Sequence, residues 1–155
     1  MRRRTLLQSA ALLPLTAALP QWGSASAESP LIYLSPVKSD GNLSRCQAEV
    51  WYVGHEDNFY VVTDASAWRA RAVGNGLTKA RVWVGDVGMW RRSNGKYLKL
   101  PSMITNASLV NDALAHAELL AQFGTKYSAE WGTWGPRFKN GLADGSRVML
   151  KYSPA

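Results

Sequence analysis

The chain has 155 residues, of which 46% are hydrophobic and 19% charged, and it carries a formal net charge of +7. This length and composition are typical of a single globular domain, and the modest basic excess does not require a nucleic-acid partner. Cys46 is the only cysteine, which excludes a disulfide within the chain.

The first 27 residues have the pattern of a bacterial export signal. Three arginines at positions 2–4 precede an apolar run over residues 6–19, and Ala-Ser-Ala at 25–27 is a small-residue cleavage pattern. The apolar run has about 14 residues, too few to span a bilayer, so no stable membrane span is expected. We therefore predict a cleaved signal at residues 1–27 and one domain at residues 28–155.

The export route is open between two possibilities. The order Arg-Arg-Thr-Leu-Leu-Gln at residues 3–8 resembles the twin-arginine motif, whose route carries proteins already folded around a cofactor. The alternative is an ordinary secretory signal with an arginine-rich start. Either route uses the export machinery and predicts a periplasmic or secreted protein, with 15 basic and 11 acidic residues after cleavage.

Short apolar runs separated by turn sequences predict a meander of β-strands in the mature chain. They read LIYLSPVKSDGNL, then RCQAEVWYVGHEDNFYVVTDAS, with turns at Ser-Asp-Gly-Asn and at Gly-His-Glu-Asp-Asn. The stretch ARVWVGDVGMWRRSNGKYLKL predicts three further short strands, divided by a Gly-Asp turn and by Asn94-Gly95. The tail GLADGSRVMLKYSP predicts a last turn and strand.

One long helix is predicted over residues 111–127. Apolar residues recur there at helical spacing, with Asn111 or Asp112 near the start and Gly124 near the end. These apolar positions are Ala113, Leu114, Ala117, Leu120, Ala121 and Phe123. Five to seven short strands with one long helix before the last strand predict a mainly β fold, a small split β-barrel.

The strand around Cys46 and Val50 has two different faces. One face is apolar and mostly small, whereas the other carries polar groups and a tryptophan, namely Arg45, Gln47, Glu49 and Trp51. Trp51 could stack on a planar ligand, although a tryptophan in a strand is more often a core or interface residue.

The order IYL…DG…VWYV…NFYVVTDASAWRARAVGNGLTKARVWVG is similar to the pyridoxamine 5'-phosphate oxidase-like, FMN-binding split barrels. This superfamily also includes deazaflavin-dependent reductases. The resemblance covers roughly residues 31–84; from Gly85 onward it depends on element order and on WGPRFKNGLADGSRV. It implies a flavin-type cofactor and a homodimer with its cofactor sites at the subunit interface.

The resemblance also assigns site residues. In the superfamily, the flavin phosphate is held by a strand end and the loop after it, and four residues match that pattern: Thr63, Ser66, Arg69 and Arg71. Trp68 occupies a position where lysine is common, which leaves FMN and a deazaflavin coenzyme both open. The strand face with Arg45 and Trp51 is the one that approaches the flavin ring. A solvated basic turn is the alternative reading of the same loop.

Other chemistries have weaker support in the sequence. No Cys, His or Asp cluster has zinc spacing, and neither a phosphate-binding P-loop nor a Ser-His-Asp order is present. His116 lies in the predicted helix; an axial haem role competes there with a surface or capping role. No catalytic acid or base can be named.

Two functions follow as hypotheses. The first is an exported FMN- or deazaflavin-dependent oxidoreductase whose substrate is unknown, since flavin hydride transfer often needs no protein acid or base. The alternative is a non-catalytic periplasmic binding module for a flavin, haem or another planar ligand.

Overall fold

A computed structural model describes residues 29–45 and 47–155. The predicted signal at residues 1–27 and the side chain of Cys46 lie outside the described residues. The strands are β1 (Ile32–Pro36), β2 (Ala48–Val50), β3 (Val53–His55), β4 (Asn58–Asp64), β5 (Lys79–Val84), β6 (Ser102–Val110) and β7 (Arg147–Pro154). The helices are α1 (Trp68–Gly74), α2 (Ala113–Lys126) and α3 (Trp131–Asp144), with two 3-10 turns at Trp90–Arg92 and Lys96–Lys99.

The strands form one antiparallel sheet in the order β2-β1-β5-β6-β7-β4-β3. The two edge strands, β2 and β3, are joined by Trp51 and Tyr52 alone, so the Cα atoms of Val50 and Val53 are at most about 11 Å apart. A seven-stranded sheet can satisfy this only by curling until its edges meet. The sheet is therefore a split barrel, and the predicted mainly β architecture is confirmed.

Strand alternation divides the core into an inner and an outer part. Phe59 and Val61 of β4 face the barrel interior, whereas Tyr60 and Val62 face outward. The interior is filled by side chains from β1, β4, β5, β6 and β7 and by Tyr52.

Helices α2 and α3 cover the outer face of β3, β4 and β7. Phe123 and Phe138 pack there with Met149 of β7. The prediction of α2 is confirmed, and the Asp112 carboxylate caps it by accepting from the Ala115 N–H at 2.7 Å. The predicted apolar face is wrong at Leu114, which is 82% exposed, and the alanines at 113, 117 and 121 are exposed as well.

The prediction of a single long helix is wrong, because α3 has the same 14-residue length as α2. Gly132, Gly135, Gly141 and Pro136 lie inside α3 and lower its intrinsic helix propensity. Packing of Phe138 and its neighbours against the sheet compensates for that low propensity. Local composition therefore does not predict α3, because tertiary contacts and not intrinsic helix propensity stabilise it.

The strands predicted between Gly85 and Leu100 are also wrong. This segment, residues 86–100, contains the two 3-10 turns and is here named the cap segment. Asn94 and Gly95 both have positive φ, which turns the chain sharply between them. Tyr97 packs on Tyr33 and Trp83, on the outer side of β1 and β5.

The stretch after β4, predicted to be a loop, contains helix α1. Alternating Ala and Arg residues favour a helix, which ends at Asn75 and Gly76, a glycine with φ of +80°. Val73 packs against the inner core, so α1 lies at one end of the barrel. No helix among the described residues is long and apolar enough to cross a bilayer.

Candidate functional site

Four of the sequence-predicted residues lie at the junction of β4 and α1. We name this group, Thr63, Ser66, Arg69 and Arg71, the arginine corner. Thr63 is buried on the inner face of β4. Arg69, the second residue of α1, reaches back over the connecting turn, and its Nη1 donates a hydrogen bond to Thr63 Oγ1.

Tyr152 of β7 is a neighbour of the corner that the sequence did not indicate. Its ring fills the barrel interior; burial raises the pKa of its hydroxyl, and the positive charge of Arg69 partly opposes that increase. The phenol therefore stays protonated at neutral pH. In the pairing of β4 with β7, Val148 lies opposite Thr63 and Tyr152 lies opposite Phe59, so Tyr152 is four residues along the strand from Val148 and interacts with the corner through the charge of Arg69.

Arg71 and Ser66 are exposed at the outer side of the corner. The guanidinium of Arg71 lies over the ring of Trp68, 5.5 Å from the ring centroid. Trp68, which stands where lysine is common, thus supports an arginine instead of supplying a charge.

The third feature of the corner is its positive charge. Among the described residues, neither Arg69 nor Arg71 forms an ion pair. Asp64 follows Thr63 directly, but it pairs with Arg147 of β7 at 3.3 Å. The corner is consequently a local excess of positive charge beside a buried hydroxyl.

Trp51 and Arg45 do not join the corner. Trp51 lies on the outer face of the sheet, stacked on Tyr127 with 4.3 Å between ring centroids and 5° between planes. Thr63 projects from the opposite, inner face. Arg45 is exposed just before β2, a strand that is not hydrogen-bonded to β4. A cofactor-binding role for Arg45 and Trp51 stays a prediction. The packing of Trp51 is that of a core residue, which was the alternative considered for it.

The face of β2 that the resemblance assigns to the flavin ring contacts the cap segment. Tyr97 donates its hydroxyl hydrogen to Gln47 Oε1, and the Trp90 N–H donates to Glu49 Oε2 at 3.1 Å. No sequence pattern indicated these contacts, because the cap segment resembled two strands and a turn.

Lys126 is a second ionisable group that sequence reasoning missed. Its Nζ lies 3.4 Å from the centroid of the Tyr52 ring, at the end of α2. Burial lowers the pKa of Lys126 to about 8, and burial raises the pKa of Tyr52 to about 12. Tertiary packing alone brings these two side chains together.

The histidines are engaged locally. His116 Nε2 donates to the Val110 carbonyl at 2.6 Å, a capping contact where β6 leads into α2. In the hairpin between β3 and β4, His55 Nε2 lies 3.8 Å from Glu56 Oε1. In residues 29–45 and 47–155, no three His, Cys, Asp or Glu side chains converge as a metal site would need.

An open groove of about 600 Å³ lies between α2 and α3. Its walls are mostly small or apolar residues, with Trp131 and Lys139 among them. The groove is on the outer side of the helix layer and is therefore separate from the arginine corner at the barrel end.

Comparison with known proteins agrees with the architecture. No family model and no curated protein matches the sequence. HutZ of Vibrio cholerae, described as a haem storage protein, superimposes with a TM-score of 0.57 at 17% identity, covering 84% of this chain and 85% of that one.

Two further solved structures are similar. General stress protein 26 of Bacillus anthracis has a TM-score of 0.56 at 17% identity, with 84% of this chain and 83% of that chain covered. A candidate pyridoxamine 5'-phosphate oxidase of Listeria innocua has a TM-score of 0.54 at 14% identity, with 84% and 87% covered. The chain therefore has the fold of the pyridoxamine 5'-phosphate oxidase-like split-barrel proteins, as the resemblance over residues 31–84 predicted.

Proposed function

We propose that this protein binds a phosphorylated flavin, FMN or a deazaflavin coenzyme, at the arginine corner and is an oxidoreductase of a small molecule. The observation that carries the proposal is the pair Arg69 and Arg71, two arginines without a carboxylate partner among the described residues, beside the Thr63 hydroxyl. A phosphate group supplies the negative charge that this arrangement lacks.

The donor groups of the corner fit a phosphate. A guanidinium carries five N–H donors, and Arg69 uses one of them on Thr63, so the others are available for phosphate oxygens. Ser66 adds an exposed hydroxyl. Arg71, held over Trp68, adds a second charge-assisted donor in place of the common lysine.

When bound, the flavin would supply the hydride or electron transfer itself. The chain's own contribution would be to hold the phosphate and to keep water from the inner side of the corner, where Thr63 and Tyr152 are buried. The Tyr152 phenol, protonated at neutral pH, could donate a hydrogen bond but could not act as a base there.

Paired titrations with FMN and riboflavin test the proposal. Arg69→Ala should weaken FMN binding roughly 5- to 150-fold, which corresponds to about 1–3 kcal/mol for a hydrogen bond to a charged group. Riboflavin, which lacks the phosphate, should bind the parent and the variant equally. Arg137→Ala is the control: it removes an arginine that lies on α3 and not at the corner, where its guanidinium is 5.0 Å from the centroid of the Trp134 ring.

Equal losses for FMN and riboflavin would show that Arg69 supports the fold or the ring pocket, and the phosphate site would have to be abandoned. The absorbance spectrum of protein purified from its native host separates the ligand classes. A haem spectrum without a flavin band would favour the alternative, a non-catalytic binding module, the class named for the Vibrio cholerae neighbour.

Export and dimerisation are parts of the same proposal that the sequence alone supports. Replacing Arg3 and Arg4 together by lysine should leave precursor in the cytoplasm if the twin-arginine route is used, since lysine keeps the charge but not the guanidinium geometry.

Light scattering should give a dimer with cofactor bound. A monomer at micromolar concentration would contradict a cofactor site at the subunit interface.

A further inference from the structure

The cap segment presents basic and apolar side chains to solvent together. Met89 and Leu98 are 51% and 53% exposed, and they are two of the four large hydrophobic side chains that are exposed in the described part of the chain. Four basic side chains on the same segment are exposed as well: Arg91, Arg92, Lys96 and Lys99. A short segment thus exposes two large apolar side chains and four cations together.

An ordered scaffold holds these side chains in place. The Tyr33 hydroxyl accepts from the Val87 N–H at 2.9 Å and donates to the Gly88 carbonyl at 2.6 Å. Tyr97 is buried against Trp83 of β5. Seven of the eleven residues from Met89 to Lys99 lie in the two 3-10 turns, which rise only about 2 Å per residue, so the outward side chains project from a short length of chain.

The cap segment also carries an excess of positive charge. Among the described residues, none of the four forms an ion pair. Asp86, the one acidic residue of the segment, caps the Gly88 N–H at 2.9 Å, and nearby Glu49 accepts from the Trp90 N–H. Arg91 lies over the ring of Trp90, 5.3 Å from its centroid.

We propose that the cap segment binds the surface of an anionic phospholipid bilayer. The four cations would contact headgroup phosphates, and Met89 and Leu98 would enter the interfacial zone. A bilayer fits better than a soluble polyanion because exposed apolar side chains gain free energy only where an apolar phase covers them. This site is distinct from the arginine corner and does not depend on the flavin proposal.

Sedimentation with vesicles tests the charge requirement. The full chain should bind vesicles of phosphatidylcholine with phosphatidylglycerol, bind phosphatidylcholine alone far less, and dissociate as salt rises. Each basic residue near an anionic surface increases binding about fivefold, so changing all four to glutamine should reduce it at least a hundredfold. Four other exposed cations, all outside the arginine corner, are changed to glutamine in one variant as the control: Lys38, Lys79, Arg137 and Lys139.

A local probe distinguishes the cap segment from the rest of the chain, including residues 1–28, which all variants share. A polarity-sensitive fluorophore is attached at Leu98→Cys or at Leu114→Cys, each in a Cys46→Ser chain. Leu114 is the matched control because it is exposed on α2, remote from the cap segment. The label at 98 should shift to shorter wavelength on anionic vesicles, and the label at 114 should not.

Three outcomes would overturn the proposal. Equal binding by the cap and control variants would assign the interaction to general charge or to another segment. An unchanged label at 98 on sedimenting protein would place the contact elsewhere. If Met89→Ser/Leu98→Ser bound anionic vesicles as the parent does, and heparin competed fully, the partner would be a soluble polyanion.

Discussion

The hydroxyl of Tyr127 accepts a hydrogen bond from the backbone N–H of Tyr52 at 2.9 Å, and it lies 2.9 Å from the Tyr52 carbonyl as well. Tyr127 is the C-cap residue directly after α2, whereas Tyr52 belongs to the two-residue link between the edge strands β2 and β3. The helix layer thus supplies the polar partner at the point where the split barrel has no strand ladder.

Tyr127→Phe should lower the free energy of unfolding by about 1–3 kcal/mol, because the buried Tyr52 N–H would lose its partner. Urea denaturation measures this difference. Tyr152→Phe is the control: it is also buried in the barrel, but its hydroxyl makes no hydrogen bond to the described residues, so its loss should be smaller. Equal losses of unfolding free energy in the two variants would show that the hydrogen bond of Tyr127 to Tyr52 adds no stability beyond that of an ordinary buried tyrosine hydroxyl.

Lys126 should make stability depend on pH between about 8 and 10. Its folded pKa is lowered to about 8, so above that pH the unfolded chain binds more protons there and the folded state gains stability relative to it. Lys126→Met lacks this gain. The unfolding midpoint of the variant relative to the parent should therefore decrease from pH 7 to pH 10.

The comparison stays below pH 10 because the tyrosines act in the opposite direction above it. Burial raises the pKa of Tyr52 to about 12, so the unfolded state loses its phenolic proton first and stability falls as pH rises. A pH-independent difference between Lys126→Met and the parent would show that this amine titrates alike in both states.

Two glycines make room for the indole of Trp131. A methyl group on Gly124 would lie 2.8 Å from Trp131 Nε1, and one on Gly135 would lie 2.7 Å from Trp131 Cε2. Because the indole is rigid and cannot move aside at a low energetic cost, Gly135→Ala should destabilise the protein by about 1–3 kcal/mol. Gly132→Ala, with nothing within 4 Å, should instead be stabilising by about 0.5 kcal/mol. Thermal unfolding of both variants gives the two signs, and a stabilising Gly135→Ala would contradict this packing.

Trp51 should matter for stability more than for cofactor binding. Its ring stacks on Tyr127 and meets the edges of Trp134 and Phe138. Trp51→Phe should therefore cost about 1–3 kcal/mol of unfolding free energy and leave FMN affinity unchanged. Loss of FMN and riboflavin affinity without a loss of stability would restore the ring-stacking role.

Sequence patterns were sufficient where a signal is local. Turn residues and alternation identified β1, β4, β5 and β7, and the residue order NFYVVTDASAWRARAV located the strand end and the arginines that follow it. Period-3.6 apolar spacing with an Asp112 cap identified α2. Hairpin turns and helix caps are properties of a few adjacent residues, so a single sequence carries them.

Tertiary structure alone decided the features that depend on long-range packing. Helix α3 forms despite its glycines and proline because Phe138 packs against the sheet. The cap segment folds as 3-10 turns because Tyr97 packs against Tyr33 and Trp83. Trp51 stacks on Tyr127 on the outer face of the sheet, whereas Thr63 accepts a hydrogen bond from Arg69 on the inner face. Sequence alternation showed that neighbouring residues lie on opposite faces, but only the curled sheet determined which face became the barrel interior, since that depends on strands far apart in the chain.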